Sequence, residues 1–183
     1  MMSRASRTAG LSLTELLLVL LLFATLATLA RPGWEDFNRQ LQLRAASRAL
    51  AISLQSARTT AMTTGLPHSL CPSADGLRCG TDDWHGGWLV YSNPALVPSP
   101  TGPEAVHSRQ AALAGDVRII ANRPVRQLVT YTPSGDSQRL SGALLMGSWE
   151  VCSGRHGQTL TLSASGRVRF REQVCTQEPA PGL

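Results

Sequence analysis

Gly10-Leu11-Ser12-Leu13-Thr14-Glu15 opens an apolar run that continues through Ala30, and the reading of this chain turns on that stretch. Ahead of it, residues 1–10 carry two arginines, Arg4 and Arg7, with no acid and no apolar run. Residues 11–30, taken as a helix, measure about 30 Å, enough to cross a bilayer core, and the basic flank predicts a cytoplasmic start. A secretory signal peptide fits poorly, because Ala24, Ala27 and Ala30 offer small residues but Arg31-Pro32 then follows a segment that continues helically. A plain signal anchor leaves Glu15 without a role. A carboxylate one turn inside an apolar helix is costly enough to imply a function.

At these residues the chain resembles the type IV prepilins and type II secretion pseudopilins. Their precursors carry a short basic leader, Gly, a hydrophobic residue, three more residues and then Glu. The resemblance implies that a membrane prepilin peptidase cuts between Gly10 and Leu11 and methylates the new amino group of Leu11. It further implies a single pass through the bacterial inner membrane, a globular part in the periplasm, and incorporation with other pilin subunits into a pilus or pseudopilus at the cell surface. In a filament of stacked helices the Glu15 carboxylate would neutralise the freed amino terminus of a neighbour, since a buried charge is tolerable only when paired.

The chain has 183 residues, which leaves room beyond the anchor for one compact domain. Only 16% of residues are charged and 5% aromatic, while Gly (16) and Pro (11) are plentiful, a balance that favours short strands joined by turns. Past Pro32-Gly33 the helix is expected to continue, with Trp34, Phe37, Leu41, Ala45, Ala49, Ile52 and Ala57 forming a stripe packed on a sheet and Arg39, Arg44, Arg48 and Arg58 mostly off it. Gly65 and Pro67 stop it. Seven apolar runs then predict antiparallel strands, at 66–71, 87–91, 117–121, 128–131, 143–151, 159–162 and 168–174, with a loop at 92–103. The expected class is α+β and pilin-like: a long N-terminal transmembrane helix packed on a small antiparallel β-sheet domain. The organisation reads as a leader at 1–10, a transmembrane and assembly half-helix at 11–30, its amphipathic continuation at 31–64, and a periplasmic β-rich part at 65–183 that ends in a loose tail from Glu178.

Cys71, Cys79, Cys152 and Cys175 all lie beyond the apolar run, an even number in the exported part, so two disulfides are expected. Zinc is the competing reading, but no C-x-x-C pair occurs and His156 stands alone near Cys152. The segment Leu70-Cys71-Pro72-Ser73-Ala74-Asp75-Gly76-Leu77-Arg78-Cys79, followed by Trp84-His85-Gly86-Gly87-Trp88, resembles the GspH/FimT group of minor pilins and pseudopilins. In that group a Leu-Cys strand end, an Asp-Gly turn, a second Cys and a Trp-x-x-Gly-Trp strand recur in this order. The Asp75-Gly76 turn can bring Cys71 and Cys79 within bridging reach, which makes Cys71 with Cys79 and Cys152 with Cys175 the expected pairing, although three pairings remain formally open. Trp84 and Trp88 are expected to pack in the interior, with stacking on a carbohydrate or DNA as the alternative.

All 17 basic residues are arginine, and the formal net charge is +5. A GC-rich genome would account for the choice of arginine; its placement says more. Between Asp75 and Asp116 five acids face two arginines, whereas from Arg118 to Arg171 eight arginines face two acids. Within that basic third, Gly166-Arg167-Val168-Arg169 resembles the GRxR motif of FimT-type minor pilins that bind DNA during natural transformation. On an extended strand Arg167, Arg169 and Arg171 would project to one face about 6–7 Å apart, comparable to the phosphate repeat along one DNA strand, with Val168 and Phe170 toward the core. Gly166 would supply a positive-φ turn. A solvated strand face is the plain alternative.

The sequence therefore predicts a minor pilin of a type IV pilus that binds double-stranded DNA without sequence preference for uptake in transformation, with Arg126, Arg139 and Arg155 as candidates to widen the patch. The alternatives are a minor pseudopilin of a type II secretion system and a structural or priming minor pilin. No enzyme, cofactor or metal is expected: His68, His85, His107 and His156 lie in unlike contexts, with no nucleophile or ligand spacing beside them.

Overall fold

In a computed structural model of the chain, residues 12–81 and 83–175 are described, those at 27–32 without their side chains. Gly10 and Leu11, Asp82 and the tail from Glu178 lie outside the described residues. Helix α1 runs Leu13–Thr64. At its start the Ser12 hydroxyl accepts the Glu15 backbone N–H at 3.2 Å, which places Glu15 three residues into the helix in a Ser-x-x-Glu capping arrangement. Glu15 lies in the first turn, where the helix dipole favours a negative charge. At the other end Gly65 takes φ +69° and donates its N–H to the Ala61 carbonyl, so the helix stops on a left-handed glycine.

The chain divides into two units, residues 1–38 and 39–183. In the first, Leu13 and the apolar side chains from Leu16 to Leu26 are exposed, as are Trp34 and Phe37, whose rings lie 6.4 Å apart. Among the described residues no helix is long and apolar enough to cross a membrane. The run at 11–30 extends past the described side chains at both ends, so the span stands as an expectation of the sequence.

Among the described residues of the second unit, nine strands follow the helix: β1 His68–Pro72, β2 Trp88–Ser92, β3 Val106–Gln110, β4 Arg118–Ala121, β5 Val129–Tyr131, β6 Ser137–Gln138, β7 Gly147–Ser153, β8 His156–Leu162 and β9 Val168–Val174. They form a five-stranded sheet ordered β3-β2-β1-β5-β6 and a four-stranded sheet ordered β4-β7-β8-β9, and neighbours pair antiparallel throughout. Two of these strands, β3 and β6, are absent from the sequence reading. The expected strand at 143–151 begins later, at Gly147, because Leu144 and Met146 lie exposed ahead of it.

The expected packing stripe of the helix is corrected. Leu41 and Ile52 are exposed, like Trp34 and Phe37, and the face that packs on both sheets carries Leu43, Ala46, Leu50, Leu54, Ala57 and Ala61. Of the expected stripe only Ala57 is buried and Ala49 partly so. Three of the six buried positions are alanine, which lets the helix axis lie close over the sheets, and steps of three and four keep the row on one side. Against it sit Leu70, Trp88 and Val129 of the first sheet and Ile119, Trp149, Val151, Leu160 and Leu162 of the second. Trp84 closes the core, with its ring edge-on to Trp149 at 5.6 Å.

Trp84 and Trp88 are fully buried, and their indole N–H groups donate to the Arg126 carbonyl and the Ser53 hydroxyl, both at 2.8 Å. Neither ring has a free face on which a ligand could stack.

Candidate functional site

The arginine segment begins as a hairpin. Between β8 and β9 the Ser163 N–H donates to the Arg167 carbonyl at 3.0 Å and the Gly166 N–H to the Ser163 carbonyl at 2.9 Å, a three-residue connection that needs a left-handed residue at its third position. Gly166 supplies it, with φ +73°. A Cβ there would also overlap the Gly135 carbonyl oxygen and press on the Tyr131 ring. The turn docks on the β5–β6 hairpin, since the Ser137 N–H donates to the Ala164 carbonyl at 2.9 Å and the Ser137 hydroxyl to the Ser163 carbonyl at 2.9 Å. Arg58 of the helix closes the corner, donating to the carbonyls of Gly135 and Ser165. Burial pushes the Tyr131 phenol well above its ordinary pKa, and nearby Arg58 pulls the other way.

From that anchored turn β9 runs out as the edge of its sheet. Arg169 stands opposite Thr161 and Arg171 opposite Thr159, and these threonines stand opposite Ser148 and Glu150 on β7. Opposed residues of an antiparallel pair share a face, so Arg167, Arg169 and Arg171 line one rim of an outer face that also carries Thr159, Thr161, Ser148, Glu150 and Ile120. Arg118, on the far edge strand, belongs to the same face, being opposite Cys152. All three arginines of the rim are exposed, and among the described residues none has an acidic partner. Glu150 is two strands away from Arg171, roughly 10 Å.

The far end of β9 is tied by a disulfide from Cys175 to Cys152 of β7, with a Cα separation of 6.0 Å. The bridge passes over β8 at Gly157, where a Cβ would strike the Cys175 sulfur. The second disulfide joins Cys71 and Cys79, with Cα atoms 5.6 Å apart, around the turn that Asp75 organises by accepting the Leu77 and Arg78 N–H groups. Those backbone donors hold the Asp75 carboxyl below its usual range.

One expectation for this strand fails. Phe170 does not enter the core; it is 48% exposed, although its neighbour across the ladder, Leu160, is fully buried. The core therefore ends one strand short of the edge, and only Val168, at the start of β9, packs against it. Arg126, Arg139 and Arg155 are exposed, but Arg155 lies in the β7–β8 turn at the disulfide end and Arg139 in the loop before β7, so neither extends the rim in line. Among the described residues no group of histidine, cysteine and carboxylate side chains is arranged to hold a metal ion.

A helix laid over antiparallel sheets that ends in a disulfide-tied edge strand is a pilin-like architecture. The family described as "Type II transport protein GspH" matches residues 46–166, more than half of the chain, and the chain belongs to that family. Two crystal structures of the type IV minor pilin FimU of Pseudomonas aeruginosa (strain PAO1) share the fold, with TM-scores of 0.56 and 0.52 at 18% identity. They cover 76% and 73% of this chain and 97% of the FimU chain. No curated protein sequence matches. Family and fold are those of structural, pilin-like subunits. The family match ends at Gly166, so Arg167, Arg169 and Arg171 lie beyond it.

Proposed function

We propose that this chain is a minor pilin of a type IV pilus that binds double-stranded DNA without sequence preference and serves DNA uptake in natural transformation. The row of Arg167, Arg169 and Arg171 carries the reading: three exposed guanidinium groups, without acidic partners among the described residues, on an edge strand held at both ends. Three like charges along one rim repel one another, and an anionic polymer relieves that cost. Guanidinium forks suit phosphate oxygens, and a flat sheet face offers contacts to the backbone rather than an element that enters a groove. The resemblance of Gly166, Arg167 and Arg169 to the GRxR motif supports the same ligand.

Processing follows the N-terminal resemblance. Prepilin peptidase would cut after Gly10 and methylate Leu11, residues 11–30 would hold the subunit in the inner membrane with the sheets in the periplasm, and Glu15 would pair with a neighbouring amino terminus on assembly.

The test is duplex binding by the full chain in detergent, followed by fluorescence anisotropy across a salt series. Affinity should fall steeply with salt, and Arg167→Gln with Arg169→Gln should flatten the slope by about one to two units. Unchanged binding in the double variant removes the rim from the account. A second reading, a minor pseudopilin of a type II secretion system, is favoured by the description of the matching family. Deleting the gene and scoring DNA uptake and protein secretion separately distinguishes the two.

A further inference from the structure

The side of β9 turned away from the arginines is also open. Alternation places Phe170 and Glu172 there, and with Arg44 and Arg48 of the helix and Gln158 of β8 they line a groove of about 340 Å³. Arg44 and Arg48 lie one helical turn apart, are exposed, and have no ion-pair or hydrogen-bond partner among the described residues. β9 thus has unpaired cations on both sides and, on the inner side beside Arg44 and Arg48, a half-exposed phenyl ring. A duplex cannot use that ring, because its bases are stacked and paired inside.

The geometry points to single-stranded nucleic acid as the ligand of this groove, with a base stacked on Phe170 and the flanking phosphates shared between Arg169 and Arg171 on the outer side and Arg44 and Arg48 on the inner. It rests on the nucleic-acid reading above and adds to the duplex bound along the arginine rim a second ligand at this groove, a strand with free bases. Every base has a π-face, so stacking on one phenyl ring requires no particular sequence, and basic side chains beside an aromatic platform are the combination such strands bind. Glu172 fits a base better than a phosphate at this point, since it can accept from a base N–H such as the N3–H of thymine and repels an anion. An acidic peptide is the rival occupant; it would use the arginines and have no need of the ring.

The experiment uses the full chain in detergent, with labelled oligothymidylate and a duplex of the same length as probes in anisotropy titrations. Phe170→Ala should weaken oligothymidylate binding about tenfold and leave duplex binding within about twofold, while Phe170→Trp restores the single-strand affinity. Phe170 is exposed enough that neither substitution opens the core. Equal losses for the two probes, or no loss for the single strand, overturn the inference and leave duplex binding standing. Binding of neither probe by the native chain overturns both readings. Displacement of oligothymidylate by polyglutamate as readily as by unlabelled oligothymidylate overturns it in favour of an acidic partner.

Discussion

Arg58, on the buried side of the domain's helix, donates from Nε to the carbonyl oxygen of Gly135 at 2.8 Å, and its Nη2 reaches the Ser165 carbonyl at 3.2 Å. One side chain thereby joins three parts of the fold: the helix, the β5–β6 hairpin and the turn that launches β9. The contact lies 77 residues apart in sequence, and it sets where the arginine rim begins.

Replacing Arg58 should loosen that corner. Arg58→Met keeps the aliphatic stem but leaves two carbonyls without their charged donor, at a cost of about 1–2 kcal/mol for a half-buried group. Denaturant unfolding measures the loss, and amide exchange should quicken first at Ser163 to Arg167. Arg58→Lys should recover only part of it, because one ammonium lacks the fork that spans two acceptors. Full recovery with lysine would mean that charge alone holds the corner.

Gly166 belongs to the same corner and is a structural residue of the motif. Its left-handed backbone and its approach to the Gly135 carbonyl leave no space for a Cβ. Gly166→Ala should therefore destabilise the domain by ~2 kcal/mol or more, since backbone strain and overlap with a main-chain atom add together. A variant as stable as the native chain would show that the turn relaxes without cost. DNA affinity per folded molecule should persist, because the glycine has no side chain to offer a phosphate.

The opposite end of β9 depends on Cys152 and Cys175. The two are 23 residues apart, and removing a link across a loop of that length costs about 3 kcal/mol in the chain-entropy account. Cys152→Ser with Cys175→Ser should lower the unfolding free energy by that order. Exchange at the amides of Gln173 and Val174 should rise before the rest of the sheet responds. If those amides stay protected, the ladder with β8 alone holds the strand.

The parts of this fold that were readable from the chain are those where local chemistry and tertiary setting agree. The Gly65 stop, the runs that become β4, β5 and β9, and the Asp75-Gly76 turn are such places. Strand β3, Val106–Gln110, was invisible because it is an edge strand with mostly exposed polar side chains and lacks an apolar alternation. The helix offers two apolar rows on nearly opposite sides. The row with the larger side chains, including Leu41 and Ile52, carries the stronger apolar signal in the sequence, yet the row rich in alanine is buried, since close packing on a sheet rewards small residues as much as large ones. Within the candidate site, the period-two arginines and the need for glycine at 166 could be read from spacing. Neither the hold of Arg58 on the turn nor the exposure of Phe170 could be, because both depend on where the core stops.

Glu15 has acquired a second role that its proposed part in assembly must be separated from. The Ser12 hydroxyl caps the Glu15 backbone N–H, and the Glu15 carboxylate lies in the first turn, where the helix dipole favours it, so the side chain helps to start the helix whatever it does in a filament. Glu15→Val removes both the charge and the favourable first-turn side chain; Glu15→Gln removes the charge and retains a residue suited to the capping arrangement. If the carboxylate neutralises the amino terminus of a neighbour, both variants should reach the membrane and both should be missing from sheared filaments, because an unpaired buried ammonium is costly in either case. If Glu15→Gln enters filaments normally while Glu15→Val does not, the residue acts through the helix start, and the charge-pairing role is wrong.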